Sequence, residues 1–199
     1  MSSLERPVLR FYGWSQPAAS FGYFQRYREI EGLTLLRPLV RRPTGGGLVP
    51  HDADWTYSLA FPTNHPWYSF TAVESYRCVH EWLQSAFARL GIVTVLAPVA
   101  RPSQSGACFA GYEQSDLLWE RRKIAGAAQR RRRDGLLIQG SIQPPPLAIG
   151  REAWQAMMCK CPPFAQIEWE GFQLTEDLKA RATRLALQKY SQANYNQRR

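Results

Sequence analysis

The reading of this chain turns on Arg41-Arg42-Pro43-Thr44-Gly45-Gly46-Gly47-Leu48-Val49-Pro50-His51-Asp52. Three consecutive glycines let a backbone lie flat against a ligand and turn its N–H groups toward it. The two arginines ahead of them can clamp a phosphate or fix the loop through carboxylates. His51 and Asp52 fall where a strand would begin, which sets the loop at a sheet edge. A bare triple glycine is equally a tight, flexible turn. The pattern as a whole is far more specific.

Working outward, residues 8–14 and 18–24 are rich in aromatic and aliphatic side chains and read as two strands joined by a turn at Gln16-Pro17. Residues 34–40 form a third strand candidate, ending at the arginine pair. Trp55–Phe61 alternates large side chains and stops at Pro62, as a strand does. The clearest helix spans residues 71–90, where Thr71 and Glu74 have capping-box spacing and Gly91 supplies the stop. Val73, Tyr76, Val79, Leu83, Ala86, Phe87 and Leu90 recur at helical steps, which predicts one buried face.

Residues 92–98 then read as a buried strand, followed by strands at 116–120, 122–131 and 135–143. Asp134-Gly135 is the turn signal between the last two. Beyond Pro144-Pro145-Pro146 the chain reads as helical, most clearly from Thr175 through Leu178, Ala182, Leu185 and Tyr190. Residues 191–199 are polar and expected to fray. The fold class that follows is α+β, a mixed and largely antiparallel sheet packed with helices.

At 199 residues the expectation is one catalytic-size domain. No apolar run approaches the roughly 18 residues of a spanning helix, and Met1-Ser2-Ser3-Leu4-Glu5-Arg6 lacks an apolar signal core. A cytoplasmic protein with reduced thiols at Cys78, Cys108, Cys159 and Cys161 is therefore expected. Cys159-Lys160-Cys161 is too tightly spaced for a zinc knuckle, so no metal site is expected. The net charge of +9 favours an acidic partner, without choosing among nucleic acid, anionic lipid and protein. Arg130-Arg131-Arg132-Arg133 leads into the Asp134-Gly135 turn and reads as hairpin-tip decoration, either a solvated loop or a basic rim.

A second informative segment is Arg121-Arg122-Lys123-Ile124-Ala125-Gly126-Ala127-Ala128-Gln129-Arg130. Its small residues keep one wall of a strand low, so a thin chain can lie along it. Lys123 is the cation beside that wall, although by pattern alone a lysine there is more often a solvated surface residue.

Together the two segments resemble the lipoate–protein ligase A and octanoyltransferase family, which shares its catalytic fold with biotin ligases. Arg10-Phe11-Tyr12-Gly13-Trp14 and Ser20-Phe21-Gly22-Tyr23-Phe24-Gln25 look like that family's opening strands. The resemblance is convincing over residues 9–143 and weaker in the C-terminal helices. It implies that Arg42, Thr44, Gly45, Gly46, Gly47, His51, Gly126 and Ala127 surround a bound acyl chain, and that Lys123 contacts the acyl carbonyl. His51 is given a loop-ordering role as readily as a chemical one.

Ala107-Cys108-Phe109 is similar to the LipM-type octanoyltransferase branch, in which such a cysteine forms an acyl thioester. A cation beside the thiol would make it reactive, and Lys123 is the candidate. By its residue type alone Cys108 is a small core residue. The resemblance implies octanoyl-acyl carrier protein as donor and a lipoyl-domain protein, such as glycine cleavage protein H, as acceptor. It implies no cofactor, with ATP and magnesium required only if the chain is instead an ATP-dependent ligase. A non-catalytic acyl-binding or carrier-docking module is a further alternative. Nucleic acid and membrane are not expected partners, and a monomer is expected. The resemblance also implies a helix ahead of the first strand, for which this sequence shows no room, and an accessory C-terminal domain in the ATP-dependent ligases.

Overall fold

The computed structural model describes residues 5–101, 109 and 111–198. The strands are β1 (Val8–Tyr12), β2 (Ala18–Phe21), β3 (Leu39–Arg41), β4 (Val49–His51), β5 (Trp55–Phe61), β6 (Val95–Leu96), β7 (Leu117–Trp119), β8 (Arg122–Arg132) and β9 (Gly135–Ile142). The helices are α1 (Tyr27–Ile30), α2 (Pro66–Ser69), α3 (Ala72–Arg89), α4 (Arg151–Met158), α5 (Glu176–Leu185) and α6 (Ala193–Asn196), with a π-helical turn at Ala186–Tyr190. Six strands form one sheet in the order β1-β5-β9-β8-β7-β6, antiparallel throughout. The other three form a small mixed sheet in the order β3-β2-β4, with β2 parallel to β3 and antiparallel to β4. The α+β expectation holds.

Strand alternation divides the large sheet into two chemically different faces. Trp55, Tyr57, Leu59 and Phe61 of β5, with Leu136, Ile138 and Ile142 of β9, pack into the main core with Val79, Trp82, Leu83, Ala86 and Phe87 of α3. Trp154 and Met158 of α4 complete that core. The intervening positions point the other way. The register sets Arg10 opposite Ser58, Tyr12 opposite Thr56, Ser141 opposite Gly126 and Gln139 opposite Ala128. Helix α3 begins with the expected capping box between Thr71 and Glu74. The small sheet has its own hydrophobic cluster of Ala19, Phe21, Ile30, Leu39 and Leu48.

Five expectations need correction. The first two strands form no hairpin, because β1 joins the large sheet and β2 the small one. Only Leu39 and Val40 of the third candidate lie in a strand, β3, which runs on to Arg41, since Pro38 removes a ladder donor just before it. Residues 92–98 supply only the two-residue edge strand β6, with Val93 and Val95 exposed. The β8–β9 turn is Arg133-Asp134, because Arg132 pairs with Gly135. Gly135 opens β9 with φ +148°, where an added Cβ would meet the Phe61 carbonyl oxygen at 2.7 Å. Finally, residues 193–198 are not frayed: α6 docks on Arg41 through Asn196.

Candidate active site

Between the two sheets lies a cavity of about 350 Å³, at the small end of the range for small-molecule sites, roughly 300–1,000 Å³. Tyr12, Thr56, Gly126, Ala127, Ala128, Gln139 and Ser141 line it from the large sheet, and Ser20, Arg42, Gly46, Val49 and His51 from the small one. Burial pushes the Tyr12 phenol pKa up, so it faces the cavity as a neutral hydroxyl.

The glycine-rich loop is held closed from several sides. Arg42 donates to the carbonyls of Gly45 and Gly47, at 2.7 Å each from Nη2. Thr44 Oγ1 donates to Gln139 Oε1 at 3.0 Å, and Arg130 Nη1 donates to the Pro43 carbonyl at 3.0 Å, tying the loop to the large sheet. Gly22 lies so close beneath that a Cβ there would stand 1.9 Å from the Gly46 carbonyl oxygen. Gly46 itself has φ +86°, a conformation that glycine adopts without strain.

Arg41 is fully buried beside the cavity. Its guanidinium donates to the carbonyls of Tyr23, Gln25, Asn196 and Arg198 at 2.6–3.0 Å, and it stacks over the Phe21 ring at 4.6 Å. Arg42 thus fixes the loop through the Gly45 and Gly47 carbonyls, while Arg41 ties the segment after β2 to the C-terminal residues. Arg130 also lies over the Tyr23 ring and Arg131 over Tyr68, so the arginine run is partly committed to packing.

Lys123 is buried and paired with Asp116, Nζ to Oδ2 2.6 Å. Asp116 also accepts from the Glu113 backbone N–H at 2.7 Å. Gly126 makes room for the lysine, since a Cβ there would come within 2.9 Å of Nζ. The Phe109 ring, another part of the cavity wall, lies 5.3 Å from Nζ. Cys108 lies outside the described residues. His51 contacts Ser20 and Asp54 and stacks against Trp14.

Of the expected site residues, Arg42, Gly46, His51, Gly126 and Ala127 line the cavity. Thr44, Gly45 and Gly47 are engaged in holding the loop. Lys123 reaches the wall at Gly126 and Phe109. Sequence reasoning missed Asp116, Ser20, Asp54 and Trp14. The hairpin from β7 to β8 brings Asp116 to Lys123, but its turn is Glu120-Arg121, both at positive φ, which lacks the glycine or asparagine that would betray it.

The lipoyl protein ligase A/B catalytic domain matches residues 1–143. Octanoyltransferase LipM of Staphylococcus aureus is 38% identical over 148 residues, covering 68% of this chain and 54% of that protein. Its counterpart in Bacillus subtilis is 35% identical over 148 residues, covering 68% and 53%. The chain thus spans about half the length of the curated relatives it matches. Among solved structures, protein Ta0514 from T. acidophilum, with bound lipoic acid, superposes with a TM-score of 0.77 at 19% identity, covering 99% of this chain and 88% of that one. A lipoate-protein ligase A bound with ATP gives a TM-score of 0.75 at 20% identity, covering 97% and 86%. These two likenesses speak to the fold.

Proposed function

This chain belongs to the lipoyl protein ligase A/B catalytic domain family, and from that premise we propose that it transfers an octanoyl group from acyl carrier protein, through a thioester on Cys108, to a lysine of a lipoyl-domain protein. The observation that carries the reading is the meeting of Lys123 and Phe109 at the wall of the cleft, Nζ 5.3 Å from the ring. Phe109 directly follows Cys108 in the sequence. The similarity to LipM octanoyltransferases supports the same chemistry.

In the first half-reaction the Cys108 thiolate attacks the thioester carbonyl of the donor. The carrier's thiolate leaves, and the octanoyl chain lies in the cleft between the sheets. The Lys123 ammonium, held by Asp116, stabilises both the attacking thiolate and the oxyanion. In the second, the neutral amine of the acceptor lysine attacks the acyl-enzyme, the Cys108 thiolate leaves, and the attacking nitrogen gives up one proton to solvent as the amide forms. The net positive charge suits acidic donor and acceptor domains.

The test is to mix the chain with octanoyl-acyl carrier protein in the absence of ATP and to measure intact mass. A single octanoyl adduct, labile to neutral hydroxylamine and absent from Cys108→Ala, is expected. Octanoyl transfer to a lipoyl domain by Cys108→Ala would overturn the thioester step, and transfer of free lipoate only when ATP is present would replace this reading with a ligase.

A further inference from the structure

A second set of groups on the cleft has no role in the transfer just described. The Ser20 hydroxyl on β2 lies 2.7 Å from His51 Nε2, and Nδ1 of the same ring lies 2.9 Å from Asp54 Oδ2. The hydroxyls of Thr56 and Ser141 donate to that same carboxylate oxygen at 2.9 and 2.6 Å, fixing it in place. An ionised carboxylate only accepts, so the proton of the neutral ring belongs on Nδ1 and the Nε2 lone pair faces the Ser20 O–H. The Trp14 ring, stacked at 4.1 Å, holds the imidazole plane.

Ser20, His51 and Asp54 are all buried, while Ser20 and His51 line the cavity. Arg42 Nη1 donates to Ser20 Oγ at 3.3 Å, placing a cation where charge would develop on that oxygen. A nucleophile within reach of a base, and a base oriented by a carboxylate, are the roles an acyl-transfer site needs. Bracing the glycine loop is done by Arg42 on the Gly45 and Gly47 carbonyls, a task that needs no imidazole.

We propose that Ser20 is a second acyl-accepting nucleophile, activated by His51 and Asp54, that gives this chain a hydrolase activity toward medium-chain acyl esters and thioesters. The substrate class rests on the acyl-cleft reading above; the assignment of the nucleophile rests on the geometry alone. Ser20 Oγ bonds to the acyl carbonyl carbon as its proton passes to His51 Nε2. The bond from that carbon to the alcohol or thiol breaks, and the leaving group takes the proton from His51. His51 then removes a proton from water, whose oxygen bonds to the acyl carbon. Ser20 Oγ leaves, recovers the proton, and the free carboxylic acid is released.

Two measurements on the full chain test this. The unmodified chain is treated with an alkyl fluorophosphonate and the adduct is mapped by peptide mass; it is expected on Ser20 and is expected to be missing from His51→Gln. Hydrolysis of 4-nitrophenyl octanoate is then compared between Cys108→Ala and the same protein carrying Ser20→Ala, with folding followed by circular dichroism. Loss of the serine is expected to slow hydrolysis by about 100-fold or more, the scale of general-base catalysis. An unlabelled Ser20 in the unmodified chain overturns the proposal, as do equal hydrolysis rates in the two folded variants or no hydrolysis by Cys108→Ala. The adduct on the unmodified chain needs no variant to fold. It is also independent of the octanoyl-carrier assay, so failure of the serine site and failure of the Cys108 transferase reading give different results.

Discussion

Lys123 Nζ and Asp116 Oδ2 are 2.6 Å apart, and both side chains are almost completely withdrawn from solvent. A buried ammonium is tolerable only beside such a partner, and removing one member of a buried pair costs about 3–5 kcal/mol. Asp116→Asn is therefore expected to lower unfolding free energy by that order, measured by urea denaturation. Adding Lys123→Met to it should restore much of the loss, because the buried ammonium that Asp116 balances is then gone. Two single substitutions that simply add would contradict the coupling.

The three consecutive glycines should not respond alike to substitution. A Cβ at Gly45 meets nothing within 4 Å, whereas at Gly46 it meets the Arg42 guanidinium at 2.8 Å on a backbone with φ +86°. Gly45→Ala is expected to be nearly neutral in melting temperature. Gly46→Ala, and still more Gly22→Ala, should displace the loop and cost about 1–3 kcal/mol. Octanoyl adduct formation should fall with them.

His80 is fully buried in α3, and that burial pushes its pKa from 6.5 down to about 4. Below pH 6.5 the unfolded chain takes up a proton that the folded ring refuses until the pH nears 4. The stabilisation is thus complete above pH 6.5 and is lost as pH falls toward 4. At about 1.4 kcal/mol per pH unit, acidification across this window should cost the parent on the order of 3 kcal/mol more than it costs His80→Leu. Unfolding free energies of the two proteins at both ends of the window supply the check.

The C-terminal residues should matter to the loop although they lie far from it in sequence. Asn196 gives its side-chain oxygen to the Arg41 backbone N–H at 2.7 Å and its carbonyl to the guanidinium at 3.0 Å. Deleting residues 191–199 would strip a buried guanidinium of the Asn196 and Arg198 carbonyls. A loss of about 2–4 kcal/mol is expected, since hydrogen bonds to a charged group contribute about 1.5–3 kcal/mol each and some are regained from water. An unchanged melting temperature would show that Arg41 does not depend on the tail.

Much of this architecture could be read from the sequence where local chemistry decides it. Thr71, Glu74 and Gly91 bound α3, and the alternation in Trp55–Phe61 marks a strand with one apolar face. The family followed from two motifs whose order and composition are distinctive. What escaped was set by long-range pairing. Nothing near residue 18 says that β2 leaves the first sheet for a second one, or that it pairs with β3 in parallel. Ser20, Asp54 and Asp116 became visible as site residues only when strands distant in sequence brought them to His51 and Lys123. The tail looked like a frayed end because its polar side chains reveal nothing of the carbonyls it presents to Arg41.

The small sheet has a consequence for how the cleft opens. Its strands are only three or four residues long and its cluster of Ala19, Phe21, Ile30, Leu39 and Leu48 is separate from the main core. Such a unit can detach and reclose without unfolding the rest of the molecule. Amide protons of β2, β3 and β4 should therefore exchange with deuterium as one group, ahead of those in β5, β8 and β9. An acyl chain held between the sheets should slow that group selectively, making the roof of the cleft a direct gauge of occupancy.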